Sequence, residues 1–539
     1  MEKSISVTKI VKAKDVTGAE NVLKDRICQT PFVELSENNG TDNGCVVIKK
    51  DGYILLDFGR ELNGGIKIAV QTTSEPDTKL HIVFGESVME ALSELGEKNS
   101  GNYHSVRDLV FPAVRLSTQR VGDTGFRFVR IQAQDGDVTI CTVKAISEKR
   151  DLEYKGTFIC NDNRLNDIWK TAVYTVELNM QEILMEGVKR DRLVWIGDMH
   201  PEVSAVSAVF GNDRCVPKSL DFVRDTTPVG QWMNKTATYS MWWIIIHYDW
   251  YMHWGDLEYL KQQIDCLKET CKMAFSWAEE GFFCSSNEMK GFVDWSSKYT
   301  DSEEEGRRAI FCMGFDRASK IFDIVSEPEY ALKCREYADK LRSEENDKEV
   351  NKRMSALTVL SGRKAEAAKK VLAGNSPKEM STFMGYYVLK AKAMLSEYSD
   401  ALDIIREYWG AMTDLGATTY WEDFDIEWAE NVGRIDEITP EGKKDIHGDF
   451  GKHCYKGFRH SLCHGWASGP APFLIEEIGG IEILEPGCKK LKISPNLGNL
   501  EWIKITYPTP YGIVKIDASL ENGEMKSEIS APAEVKIIN

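Results

Sequence analysis

The sequence predicts a multidomain chain in which a central all-helical unit is flanked by an N-terminal and a C-terminal β-sandwich. Three observations carry this. Residues 1 to about 150 are short runs rich in Val, Ile and Phe, helical periodicity dominates to about 475, and strand patterns return from about 480. At 539 residues the chain exceeds one ordinary core, in keeping with two to four domains.

The first block contains "CVVIKKDGYILLDFG", "GIKIAVQTT", "KLHIVFGES" and "GFRFVRIQA", and "DGDVTICTVKAIS" continues the pattern. Gly, Asn and Asp punctuate these runs at a spacing that favours a β-sandwich over residues 1–152. The texture changes at "CNDNRLNDIWKTAVYTVELNMQEIL", where Asp162 or Asn163 can cap a helix with Leu165, Ile168, Trp169 and Val173 at helical spacing. Further helical patterns include "LEYLKQQIDCLKETCKMAFSWAEE", "RAIFCMGFDRASKIFDIVS", "EYALKCREYADKLRSE" and "MGYYVLKAKAMLSEY". Roughly ten to twelve such segments over residues 153–477 suit a toroid of paired helices, and no tetratricopeptide, HEAT or ankyrin consensus points to an open solenoid. Residues 478–539 return to strands in "KKLKISPNL", "LEWIKITYPTPYGIVKIDASL" and "APAEVKIIN".

Composition narrows the partners. A net charge of −17 without a basic block argues against nucleic acid and anionic membrane surfaces. The longest apolar run, "MWWIIIHYDWYMHW", carries His and Asp and is too short to span a bilayer. Thirteen Cys without a CxxC pair read as reduced, buried thiols. The N-terminal "MEKSISVTKIVKAKD" lacks a signal-peptide core, so the expected location is the cytoplasm, or the periplasm if a signal has been removed. The 14 Trp suit either a sugar cleft or a large helical core.

Carboxylates offer the most economical chemistry. In "EGVKRDRLVWIGDMHPE" acids stand at Glu186, Asp191, Asp198 and Glu202, with Lys189, Arg190 and Arg192 among them and Trp195 beside. A second cluster, "GATTYWEDFDIEWAENVGRIDE", sets Glu422 after Trp421, followed by Asp423, Asp425, Glu427 and Glu430. Glycoside hydrolysis needs one protonated acid at the leaving oxygen and a second carboxylate that activates water or attacks carbon. Either cluster alone is also what a salt-bridged surface looks like. "FVDWSS" adds Asp294 and Trp295, and "FRHSLCHGWASGPAPFL" adds His460, His464 and Trp466; such acid–aromatic pairs bind sugars, though the rings can equally fill a core. Rival chemistries are weak: no HExxH, EF-hand loop, P-loop, GxSxG or strand-borne GxGxxG is present, and His247 and His253 are too far apart for one helical turn.

"RDRLVWIGD", "GATTYWEDFD", "SLCHGWASGPAPFL" and "YPTPYGIVKI" resemble the bacterial α-L-rhamnosidases of glycoside hydrolase family 78. "LDFGRELNGGIKI", "FGESVME" and "TGFRFVRI" resemble the β-sandwich that precedes that family's barrel, and the motifs run in the family's order. The resemblance implies a central (α/α)6 barrel and inverting release of terminal α-L-rhamnose, or a close deoxy-sugar, from a carbohydrate partner. The motifs point to no cofactor and no metal-ligand set. The resemblance implies Asp191 as general acid and Glu422 as general base. Glu186, Arg190, Trp195 and Asp198 from the first motif would bind the sugar. Asp294, Trp295, Trp421, His464 and Trp466 would complete that site. Two positions depart from the family pattern: Asp191 stands where Glu is usual and Glu186 where Asp is usual. A non-catalytic sugar-binding relative and a glycosidase of altered specificity are the alternative readings.

Overall fold

The computed structural model describes residues 3–30, 44–282, 289–295, 302–344, 350–363 and 366–538. The serines that end "FVDWSS" lie outside them.

The N-terminal apolar runs form one seven-stranded sheet: Lys3–Ser6, Val138–Ser147, Val46–Thr73, Ser117–Gln134, Lys79–Gly85 and Asp108–Pro112 in spatial order, with Lys9–Thr17 also paired to Val46–Thr73. Two of these strands are long and irregular. Along Val46–Thr73, alternate residues Ile54, Leu56 and Phe58, then Leu62, Ile66, Ile68 and Val70, enter one apolar core. A wide bulge separates the two sets, because Asp57 pairs with Phe128 while Leu62 already pairs with Phe126. The extra residues leave the ladder and reach the helical region, as bulges commonly re-aim a strand. Glu61 N–H donates to Thr418 Oγ1 at 2.9 Å, and its carbonyl accepts from the Tyr174 hydroxyl at 2.6 Å. Arg127 clamps Asp57 through two bonds of 2.9 Å and donates to the Gly416 carbonyl at 3.0 Å.

The helical region opens with Asn163–Asn179, and Asp162 is its cap: the side chain accepts from Arg164 N and Leu165 N. Leu165, Ile168, Trp169 and Val173 all face the core, as their spacing predicts. The apolar run lies in the helix Ala237–Trp254, which is buried over most of its circumference. No helix among the described residues is long and apolar enough to cross a membrane. The twelve cysteines among the described residues are all free thiols, nine of them buried.

Two further sheets follow. One joins Ile481–Glu485, Lys490–Ile493 and Lys536–Ile538. The other joins Glu524–Ser530, Gly512–Glu521, Trp502–Thr509 and, unexpectedly, Thr157–Cys160 from just before the first long helix. Ile503 stands opposite Cys160 and Ile505 opposite Phe158. The apolar residues of these strands join the helical core, whereas the N-terminal sheet keeps its own.

Ile505 packs against the end of the helical region, its Cδ1 beside Gly479. Ile505→Ala should therefore lower stability by about 2–5 kcal/mol. In urea titrations the far-UV helical signal should shift together with the sheet; an unshifted helical midpoint would contradict the shared core.

Candidate active site

The stretch that follows the first long helix is a tight loop. Glu186 N–H donates to the Leu193 carbonyl at 2.9 Å, and Arg192 N–H donates back to Glu186 at 2.8 Å. The loop closes because Asp191 and Arg192 both adopt positive φ, 63° and 50°. Such backbone is costly for most side chains and least so for Asp and Asn, so an Asp suits this position. The turn sends four consecutive side chains in different directions.

Lys189 points away from the pocket. Its ammonium, fully enclosed, sits 2.9 Å from Glu86 and 3.1 Å from Glu90, and donates to the carbonyls of Phe458 and His460 at 2.9 and 2.7 Å. Arg192 also turns outward, to Asp123 at 2.8 Å and to Asn63. Of the three basic residues in the motif, only Arg190 turns toward Asp191. Arg190 Nη1 lies 3.1 Å from Asp191 Oδ1, and its Nη2 is bonded to Glu422 Oε1. His104, from a loop of the N-terminal sheet, places Nε2 3.6 Å from the same Asp191 oxygen.

Glu422 is fixed at both ends. Its carboxylate accepts from Ser461 N–H at 3.1 Å, and its backbone N–H donates to the Ser461 carbonyl at 2.9 Å. Its own carbonyl accepts from the Thr382 hydroxyl at 2.6 Å and from Trp466 Nε1 at 2.8 Å. Burial raises the Glu422 carboxyl above its ordinary range, and the Arg190 guanidinium opposes that rise.

His464 links the two motifs. Its Nδ1 is 2.9 Å from Glu186 Oε2, its Nε2 is 3.8 Å from Glu422 Oε1, and its ring lies 4.4 Å from that of Trp466. Burial lowers the His464 pKa, favouring the neutral ring. Asp198 starts the helix Met199–Ala205 and accepts a hydrogen bond from the Tyr239 hydroxyl. Gly197 makes that approach possible, because a Cβ there would stand 2.1 Å from the Tyr239 ring. Burial pushes both Glu186 and Asp198 well above the usual carboxylate range. Glu186, Asp198 and His464 present ligand atoms within 4.8 Å of one another, a spacing a cation would also accept.

The remaining candidates sit further round. Asp294 accepts from Ser381 Oγ at 3.0 Å and lies 3.6 Å from Arg353 Nε. Trp295 stacks on His453 at 5.8 Å and meets Tyr455 edge-on, and Tyr455 in turn meets Trp466 at 6.2 Å. Trp195 is partly exposed and edges against Tyr239. Trp421 is buried, its ring turned edge-on to Phe424 at 5.6 Å. Sequence reasoning missed the Glu86–Glu90–Lys189 cluster, Tyr239, Ser461 and His104. Glu86 and Glu90, four apart beside an apolar strand, were the one available signal, since two buried acids require a counter-charge.

Lys189→Met should leave those acids uncompensated and cost about 3–5 kcal/mol of stability, read by urea denaturation. A loss under about 1 kcal/mol would mean that the ion cluster is solvated.

Comparisons with known proteins bear on the domains and the fold. Residues 153–351 match the family model described as the bacterial alpha-L-rhamnosidase 6 hairpin glycosidase domain, and residues 480–538 match the bacterial alpha-L-rhamnosidase C-terminal domain. An α-L-rhamnosidase of Formosa agariphila is 21% identical over 157 residues, covering 28% of this chain and 16% of that protein. The fold resembles the family 78 rhamnosidase of Bacillus sp. GL1 with a TM-score of 0.71 at 18% identity, over 96% of this chain and 55% of that one. A rhamnosidase of Klebsiella oxytoca solved with rhamnose bound gives 0.64 at 17% identity, over 88% of this chain and 95% of that one. The chain thus spans about half the length of the Bacillus protein and nearly the whole of the Klebsiella one. Residues 153–351 and 480–538 are thus similar to the glycosidase and C-terminal domains of bacterial α-L-rhamnosidases, and the fold over most of the chain is that of the solved family 78 rhamnosidases.

Proposed function

We propose that the chain is an inverting exo-glycosidase that releases terminal α-L-rhamnose, or a close deoxy-sugar, from plant or bacterial glycans or glycosides. In this reading residues 153–477, apart from the strand Thr157–Cys160 that joins the C-terminal sheet, form an (α/α)6 barrel between β-sandwiches at 1–152 and 478–539. Asp191 donates a proton to the glycosidic oxygen as its bond to the anomeric carbon breaks. Glu422 takes a proton from the water that attacks the opposite face. Glu186, Asp198 and His464 hold the sugar hydroxyls beside Arg190, and Trp466 offers an apolar face. Trp195, Asp294, Trp295 and Trp421 complete the surroundings.

One observation carries the reading: a single guanidinium, Arg190, touches both Asp191 and Glu422. The two carboxyls are therefore held near each other and yet apart by the width of that group. Inversion asks for a gap of about 6.5–9.5 Å, wide enough for a water. A panel of aryl glycosides should show turnover of the α-L-rhamnoside, with the β-anomer appearing first by NMR. First appearance of the α-anomer would overturn inversion. Affinity without turnover would favour a sugar-binding protein, the reading that the shorter acid Asp191 supports.

Asp191→Asn and Glu422→Gln should each lower kcat by about 10²–10⁴-fold. Because Glu422 must be ionised to act and burial raises its pKa, activity should fall on acidification at a pH above the ordinary Glu value of about 4.3. Arg190→Met removes the charge that favours ionised Glu422. It should move this acid limb upward by about 1–3 pH units, and an unmoved limb would take Glu422 out of the base role.

A further inference from the structure

Five carboxyl groups surround the pocket: Glu186, Asp191, Asp198, Glu202 and Glu422. Arg190, His464 and Tyr239 face them, as do His104 at Asp191, Tyr387 at Asp198, and Cys454 and Tyr455 at Glu422. Glu202 has no part in the scheme above. It stands four residues after Asp198 on the helix Met199–Ala205, hence on the same face, and is wholly enclosed. Among the described residues, neither oxygen of Glu202 and neither oxygen of Glu186 receives a hydrogen bond. The nearby Nδ1 of His464 is off the line for one. The two carboxyl groups meet at the same short segment, Glu186 against His464 and Glu202 against Gly465, and act on each other as side-chain partners. Glu202 is pressed into this position by the backbone of the other motif: a Cβ on Gly465 would fall 1.2 Å from Glu202 Oε1.

Two buried carboxylates face to face repel each other, and a single proton between them removes both the repulsion and the missing donor. We propose that Glu202 is a positioning residue which shares one proton with Glu186 and thereby fixes Glu186 against the sugar. The proposal rests on the sugar-pocket reading above and deepens it. An ionised carboxylate only accepts hydrogen bonds, whereas a pair holding one proton also donates one. Such a pair meets a sugar hydroxyl in both of the hydroxyl's capacities and favours a vicinal diol. Burial raises the affinity of both groups for protons, in keeping with a proton retained at neutral pH. The surrounding acids Asp198, Asp191 and Glu422 reinforce it at Glu186, and His464 opposes it at Glu202.

The full chain is compared as wild type, Glu202→Gln and Glu202→Met. Infrared difference spectra without substrate should show a protonated-carboxyl band in wild type that is lost in Glu202→Gln; identical spectra overturn the proposal. With an aryl α-L-rhamnoside, Glu202→Met should raise KM by about 10–100-fold, the worth of a hydrogen bond to a charged group. Glu202→Gln, whose amide can still donate to Glu186, should recover most of that loss. Its KM should stay flat at alkaline pH where the wild-type KM climbs. Equal losses in both variants, or a wild-type climb in Glu202→Gln, overturn the proposal. Stoichiometric binding of Ca²⁺, Mn²⁺ or Zn²⁺ that disappears in Glu202→Gln also overturns it, in favour of a shared cation. If the infrared band is present and no rhamnoside is turned over, the substrate reading fails and the shared proton stands. Glu202→Gln, matching Glu in shape, carries the test if Glu202→Met does not fold.

Discussion

The position of the pocket depends on one buried ammonium group. Lys189 is gripped by Glu86 and Glu90 from the N-terminal sheet region and by two carbonyls from the segment that leads to His464. Three distant pieces of chain therefore meet at one charge. A buried cation with partners on all sides tolerates little displacement, because each lost contact leaves a polar group dry. Arg190 is the next residue, so fixing Lys189 also fixes the guanidinium that touches Asp191 and Glu422. The left-handed turn at Asp191 and Arg192 then lets neighbouring side chains serve opposite sides of the same wall.

The pocket itself is an electrostatic compromise. It gathers more acids than bases in a place from which water is largely excluded. Each carboxyl has a distinct way of being tolerated. Glu422 has a guanidinium and a backbone N–H, while Asp198 has a tyrosine hydroxyl. Asp191 keeps partial exposure beside His104. That diversity gives each acid its own surroundings, and the acid–base roles proposed for Asp191 and Glu422 draw on such differences.

Much of this was legible in the sequence, for reasons that differ by element. The cap at Asp162 and the buried stripe from Leu165 to Val173 follow from local rules, since a helix is written in its own residues. The alternation along Val46–Thr73 gave the sheet but not the bulge after Asp57, because only the partner strand shows where a register slips. The acid–Trp clusters were visible as compositions; their roles came from family resemblance. Nothing local could tell that Lys189 and Arg192 turn away while Arg190 turns in, since the left-handed turn that decides it has no Gly to announce it. Tyr239 and Ser461 carry no motif, and they matter only through the groups they meet.

The strand Thr157–Cys160 has a consequence for the order in which the protein is made. Its partner, Trp502–Thr509, lies almost at the other end of the chain. A growing polypeptide emerges from its N-terminus, so the N-terminal sheet, which pairs only within itself, can complete early. The strand at the entrance of the helical region cannot, because it stays unpaired until Trp502–Thr509 has been synthesised. Through most of translation that edge and the apolar residues behind it are open, and a free strand edge invites pairing with other chains. The strand is short and carries Thr157 and Ile159 on its outer side, which limits the surface at risk. Pairing of this strand is therefore a late event, because its partner follows the whole helical region in the chain.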